Sequence, residues 1–200
     1  QPDGKPLAHV ILAHGAGAPM DAPFMNTIAE GLAENGIRVT RFEFPYMAMR
    51  RVDGKKRGPG NALKLVDFWR EVVRQNVGEL PLFIGGKSMG GRIASMIADE
   101  PGVTGIICLG YPFHPPGKPE KLRTAHLETM KTPTLIIQGE RDPFGKPEDV
   151  ADYRLAKAVE IKWIPDGDHS LKPRKKSGFT EEENLQRAIY EANEFIHAHS

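Results

Sequence analysis

Leu82-Phe83-Ile84-Gly85-Gly86-Lys87-Ser88-Met89-Gly90-Gly91-Arg92 is the stretch on which the fold turns. Leu82–Gly85 is a short apolar run, the mark of a buried strand. Met89–Glu100 follows with Ile93, Met96 and Ile97 facing inward at helical spacing, and Pro101 ends it. Between them Gly86-Lys87-Ser88-Met89-Gly90 reads G-x-S-x-G. A serine on so tight a strand-to-helix turn is forced outward, and the glycines are needed because a Cβ there would strike a neighbouring strand or helix. Gly86-Lys87-Ser88 also ends a phosphate-binding loop, but that loop needs glycine at position 81. Pro81 stands there without flexibility or an N–H, which excludes the nucleotide reading. The remaining alternative is a glycine-rich turn with an incidental serine.

Outward from this stretch the chain alternates. Leu7–Ala13, Ile37–Phe44, Leu82–Gly85, Thr104–Leu109, Thr134–Gln138 and Val159–Ile164 read as strands. The first helix has Asp21 as its cap, Pro23 in its first turn and Gly36 at its close. Others are expected over Asn61–Asn76, Met89–Glu100 and Pro147–Lys157, and a last one opens on the capping box of Thr180 and Glu183. Arg50, Arg51, Lys55, Lys56 and Arg57 are expected on a loop, and Tyr111–Met130 in a Pro-rich connection. Strands separated by crossover helices predict an α/β fold, a mostly parallel sheet of about six strands covered on both faces. Functional groups in such sheets gather beyond the strands' C-terminal ends, here near His14, Pro45, Gly86, Gly110, Gly139 and Pro165.

Composition narrows the class. Two hundred residues, 40% of them hydrophobic, predict one domain over 1–200 with a real core. Lys+Arg 27 against Asp+Glu 26 leaves +1, which argues against a basic nucleic-acid coat or an acidic tail. The single Cys108 excludes an internal disulfide, a CxxC pair and a Cys-based zinc site. No apolar run is long enough to span a bilayer, and no signal peptide opens the chain. The expectation is a soluble protein of a reducing, cytoplasmic compartment. Gln1 in place of Met points to a missing piece of N-terminus.

A serine hydroxyl is a poor nucleophile until a base takes its proton. Of seven histidines, His197 and His199 fall in the C-terminus, His126 in the connection and His9 in a strand. His14, His114 and His169 remain on strand-following loops. His169, in Asp166-Gly167-Asp168-His169-Ser170, precedes the last helix and is the candidate base. His14 reads as a turn residue and His114, the rival base, as a pocket wall. For the orienting carboxylate, Asp142 in Gly139-Glu140-Arg141-Asp142-Pro143 is best placed, with Glu140 as fallback. Asp149 is expected to serve the next helix, and Asp166 and Asp168 to form turns. The order Ser88, Asp142, His169 is the one expected of this elbow. Activity should fall below about pH 6, where a histidine base protonates. The acyl pocket is expected from Tyr46, Tyr111, Phe113, His114 and Phe144, with Met20, Phe24 and Met47 as further candidates. Segments 50–57 and 172–176 together hold nine Lys/Arg and one Asp, a local +8 against −7 elsewhere. They form a candidate basic rim for anionic substrates or an acidic partner, or two solvated loops.

Ala13-His14-Gly15-Ala16-Gly17, Gly86–Arg92, Leu109–Lys118, Gln138–Pro143 and Gly167–Leu171 resemble the α/β-hydrolase superfamily over essentially the whole chain. The resemblance is to its small, lidless branch near dienelactone-hydrolase-type proteins. Tyr111-Pro112-Phe113-His114-Pro115-Pro116 narrows it towards the testis-expressed hydrolase-like proteins and a hydrolase-like subunit of the NSL acetyltransferase complex. It implies a Ser88–His169–Asp142 triad and an oxyanion hole from the backbone N–H of Met89 and of Ala16 or Gly17. It implies a small-molecule ester or thioester substrate, an acyl-enzyme intermediate, and no metal or organic cofactor. Two departures stand out: the two usual N-terminal strands are reduced, and no lid is inserted between Leu109 and Thr134. The alternative of a different class is a hydrolase-shaped interaction module, its triad idle, that holds a partner through loops 50–57 and 172–176.

Overall fold

The computed structural model describes residues 4–200, so the expectation raised by Gln1 lies outside the described residues. Six strands form one sheet, all pairs parallel: β1 (His9–Ala13), β2 (Arg38–Phe42), β3 (Leu82–Lys87), β4 (Gly105–Leu109), β5 (Thr134–Gly139) and β6 (Val159–Ile164). Their spatial order is β2-β1-β3-β4-β5-β6. The order reverses direction beside β1, which puts the C-terminal ends of β1 and β3 side by side at the crevice where open α/β sheets hold their sites.

The apolar runs divide by alternation. Val10, Leu12, Phe83, Ile107, Leu109, Leu135 and Ile137 face one layer, which α1 (Pro23–Glu34) and α6 (Glu181–His199) cover with Met25, Ile28, Leu32, Ala188, Ile189 and Ile196. Ile11, Ile84, Ile106, Cys108 and Ile136 face the other, closed by Val66, Trp69 and Val73 of α3 (Ala62–Asn76) and Ile93 and Ala94 of α4 (Met89–Ser95). Because both faces are buried, the central strands read as unbroken apolar runs rather than alternating ones.

Four local expectations need correction. Asp21 does not cap α1. The N-cap is Ala22, and the Asp21 carboxylate instead meets the Arg51 guanidinium at 2.6 Å. Residues Pro45–Asp53, expected as a stop and then a loop, form a helix, α2. Pro45 starts it rather than ending the strand, since a first-turn proline loses no hydrogen bond. Regular helix after the elbow ends at Ser95, and residues 96–100 tighten into i→i−3 bonds such as Met96 N–H to Ile93 C=O at 3.1 Å. The helix expected over Pro147–Lys157 shortens to α5 (Pro147–Val150), because the chain is drawn off to bond Ala156 N–H to Leu127 C=O at 2.8 Å. Between β4 and β5 the described residues hold only a 3₁₀ turn, Ala125–Glu128. No helix of the described residues is long and apolar enough to cross a membrane.

Candidate active site

Ser88 sits between β3 and α4 at φ 51°, ψ −116°, a left-handed conformation that a non-glycine residue keeps only where its surroundings impose it. Here β1 imposes it. A Cβ on Gly90 would stand 2.5 Å from the Ala13 carbonyl oxygen and 2.6 Å from that of His14. Only a glycine allows α4 to start this close to the end of β1, so the motif glycines set the approach and the approach turns the serine out.

The serine hydroxyl meets His169. Ser88 Oγ donates to His169 Nε2 at 2.9 Å, and His169 Nδ1–H donates to Asp142 Oδ2 at 2.8 Å. Asp142, fully buried, also accepts from the Phe144 backbone N–H at 2.9 Å and from Gln138 Nε2 at 3.0 Å. A carboxylate held by these donors cannot turn away, and it selects the tautomer that leaves Nε2 facing the serine. Glu140, the fallback, instead accepts from the Asp166 backbone N–H at 2.8 Å. Asp149 does serve α5, accepting from Lys146 N–H at 3.2 Å.

The loop that carries His169 is fastened from several sides. Asp166, at φ 51°, accepts from Arg174 N–H at 2.7 Å and Nε at 2.8 Å, and this hydrogen bonding holds its carboxyl down to about 2. Arg141 Nε donates to the Asp166 carbonyl at 2.9 Å. The buried Asn184 of α6 reaches back to the carbonyls of Pro165 at 3.0 Å and Leu171 at 2.8 Å. Arg174 is therefore a loop fastener rather than a free rim charge. Lys172 pairs with Glu181, Arg57 with Asp53, and Arg51 with Glu43 and Asp21. Those internal pairs cancel much of the expected rim. Arg50, Lys55, Lys56, Lys175 and Lys176 make no ion pair among the described residues.

On the other side of Ser88 lies the loop after β1. Met89 is the first residue of α4, so its N–H has no partner within the helix. The carbonyls of Ala16 and Gly17 are turned towards α2, accepting from Tyr46 Oη at 3.0 Å and Arg50 Nη1 at 3.3 Å. Tyr46 is thus a support for this loop, and burial pushes its hydroxyl up to about 12. His14 is more than a turn residue. It is fully buried, its Nδ1–H donates to Gly15 C=O at 2.6 Å, and its Nε2 accepts from Phe44 N–H at 3.1 Å. Burial lowers its pKa, and the bond accepted by Nε2 requires the neutral ring.

A cavity of about 340 Å³ opens beside Ser88, lined by residues 15–19, Ala22, Phe24, Met25, Lys87, Phe144, His169 and Ser170. Of the expected walls, Phe144 is present, its ring centroid 4.3 Å from that of His169. Tyr111, Phe113 and His114 are not. Tyr111 and Phe113 are fully buried in the core, and the Tyr111 hydroxyl is spent on the Arg123 carbonyl at 2.9 Å. His114 is buried, with Nδ1 on its neighbour Pro115's carbonyl at 2.9 Å. Their aromatic string packs the connection onto the sheet, which sequence position alone does not distinguish from lining a pocket. Met47 is likewise core. Cys108 is buried in β4, which pushes its thiol up, away from nucleophilic use.

Gln138, Asn184 and Lys87 also support the candidate site, through Asp142, the His169 loop and the His169 carbonyl, and no motif marks them. Gln138 had a signal, being a polar residue inside an otherwise apolar strand. Lys87 had one too, a charge closing a buried strand. Asn184 had none short of the helix packing. Among the described residues no group of three or more His, Cys, Asp or Glu side chains is arranged to hold a metal ion.

Comparison with known proteins gives the following. Residues 6–197 match the family described as alpha/beta hydrolase domain. A Schizosaccharomyces pombe protein assigned as a monoglyceride lipase is 37% identical over 93 residues, 45% of this chain but only 24% of that protein. Among solved structures, dienelactone hydrolase from Anabaena variabilis superposes with a TM-score of 0.75 at 22% identity, covering 99% of this chain and 88% of its own. The Paleococcus ferrophilus monoacylglycerol lipase gives 0.69 at 18% identity, covering 98% and 97%. At such identities the two structures speak for the fold alone.

Proposed function

The chain belongs to the alpha/beta hydrolase family, and from that premise we propose that it is a serine hydrolase of carboxylic esters or thioesters of modest size, working through Ser88, His169 and Asp142. The observation that carries this is the unbroken hydrogen-bonded line from Ser88 Oγ to His169 at 2.9 Å and on to Asp142 at 2.8 Å, at the mouth of an apolar cavity. Ser88 Oγ attacks the acyl carbonyl while His169 Nε2 takes its proton, and Asp142 steadies the imidazolium. His169 returns the proton to the departing alcohol or thiol, leaving an acyl group on Ser88. Water then repeats the sequence and releases the acid. The N–H groups of Met89 and of Ala16 or Gly17 hold the oxyanion, each donor worth about 10²–10³ in rate.

A cavity of about 340 Å³ falls at the small end of ligand sites and favours short acyl groups. The assigned activities of the Schizosaccharomyces pombe and Paleococcus ferrophilus proteins put monoacylglycerols among the esters to try. We also read the 200 residues as one catalytic domain of a cytoplasmic protein, kin to the testis-expressed and NSL-subunit hydrolase-like proteins through Tyr111–Pro116.

A fluorophosphonate probe tests the reading. Stoichiometric labelling of Ser88, abolished in Ser88→Ala and strongly slowed in His169→Ala, is expected. Absence of labelling on folded protein would favour the idle interaction module.

A further inference from the structure

Among the described residues Lys87 is the cavity's one Lys or Arg side chain, and the chemistry proposed above gives it no part. Its ammonium donates to the backbone carbonyl of His169 and sits 5.2 Å from the centroid of the Phe24 ring. The amine and the His169 loop meet over Gly110. A Cβ there would stand 2.8 Å from Lys87 Nζ, 2.9 Å from the His169 carbonyl oxygen and 3.3 Å from His169 Nδ1. Lys87 is therefore packed between elbow, loop and the end of β4, on the wall of the cavity.

The second half of the argument concerns Asp142. Its donors are a backbone N–H, the Gln138 amide and a ring N–H, and with the imidazole neutral none of them is a cation. A fully buried carboxylate without a counter-charge is costly. The ammonium of Lys87 is the nearby cation. Desolvation lowers its pKa to about 8, while Asp142 and Asp168 oppose that shift. The charged and titratable groups around it are these two carboxylates and the His169 ring, with Ser88 next to it in the elbow and only the neutral Phe24 facing it from α1. Asp168 is itself engaged by Ser170 N–H at 2.8 Å and Lys172 N–H at 3.1 Å.

We propose that Lys87 is a positioning residue for His169, tying that residue's carbonyl to the nucleophile turn and placing a positive charge beside the buried Asp142 carboxylate. The inference rests on Ser88, His169 and Asp142 being the reacting set. A charged donor makes a hydrogen bond roughly twice as strong as a neutral one, so the tether is firm only while the amine is protonated. Activity then declines as pH rises through about 8. A purely structural lysine would lower turnover equally at every pH when removed.

The experiment is kcat and KM for p-nitrophenyl acetate between pH 5 and 10, for the native protein, Lys87→Met and Lys87→Arg. Lys87→Met should lose about 10- to 100-fold in kcat at pH 7, the size of a misplaced base, with KM within about twofold. Its low-pH edge should move to higher pH, because the positive charge that opposes protonation of the neighbouring imidazole is gone. Its decline near pH 8 should vanish. Lys87→Arg, charged throughout, should keep the native low-pH edge and hold activity beyond pH 9. Lys87→Gln, which keeps a donor without charge, takes the place of Lys87→Met should the latter not fold. Unmoved edges in the uncharged variant overturn the proposal. If the native protein neither hydrolyses the ester nor takes up fluorophosphonate, the hydrolase reading fails separately. NMR of ¹³Cε1-labelled histidine then still decides this one: a His169 titration shared by native and Lys87→Met protein overturns it, and an upward shift in the variant supports it.

Discussion

Asp142 has its two oxygens committed to three donors, and each donor asks for an acceptor. An amide in its place offers one acceptor oxygen and one NH₂ group. In Asp142→Asn the ring loses its preferred tautomer, and Nε2 no longer faces the serine as a base. We expect kcat to fall by about 10⁴ while the thermal midpoint moves little, since the shape is kept. Stopped assays beside a melting curve check both halves. The same scale shows why some site residues were legible and others were not. Ser88, His169 and Asp142 announce themselves through glycine- and proline-marked turns after strands. His14, with the same loop position, is spent on Gly15 and Phe44, and a sequence shows only that it follows a strand. Tyr111 and Phe113 make the same point in reverse, since an aromatic after a strand end can cover the core as readily as line a cleft.

The elbow works because a strand, a helix and the end of a neighbouring strand converge on two glycines. Gly90→Ala pushes a methyl against the Ala13 and His14 carbonyl oxygens, at 2.5 and 2.6 Å, and backbone cannot swing aside as a side-chain tip can. A loss of about 3 kcal/mol is expected, at the upper end of overpacking costs, with Ser88 displaced in proportion. Urea midpoints compared with the loss of fluorophosphonate labelling would measure it; an unchanged midpoint contradicts the close approach. Elements outside the elbow were less readable. Strands and the helices α1, α3 and α6 follow from apolar spacing. α2 did not, because its one fully buried side chain, Met47, leaves no stripe, and because Pro45 ends a strand and begins a helix at once.

Across the whole molecule, three histidines are kept neutral by their surroundings. Burial is the leading cause for His9, His14 and His126, and His126, between Ser95 at 2.8 Å and Tyr111 at 3.4 Å, is pushed down to about 4. The unfolded chain binds protons at these rings near pH 6.5, and the folded chain only lower down. The share of stability that rests on these rings is therefore full above about pH 6.5 and is lost as pH falls from there towards 4. Thermal midpoints across that interval should drop steadily, and His126→Gln should flatten part of the slope. A native profile flat from pH 7 to 4.5 would contradict the buried neutral rings.

What the amino-acid order settled unaided was the alternation of apolar strands and crossover helices, the strand ends where the candidate site residues lie, and the chain order of the candidate hydroxyl, carboxylate and imidazole. Those are local properties: spacing, turn residues and burial tendency are written within a few positions of one another. Only the tertiary structure decided which loop side chains face the cavity and which cover the core, which basic residues are cancelled by acids brought from other elements, and that an ammonium closes the gap between elbow and histidine loop. Each of these depends on distances between segments tens of residues apart, and those distances are fixed by the packing of layers rather than by any neighbour in sequence.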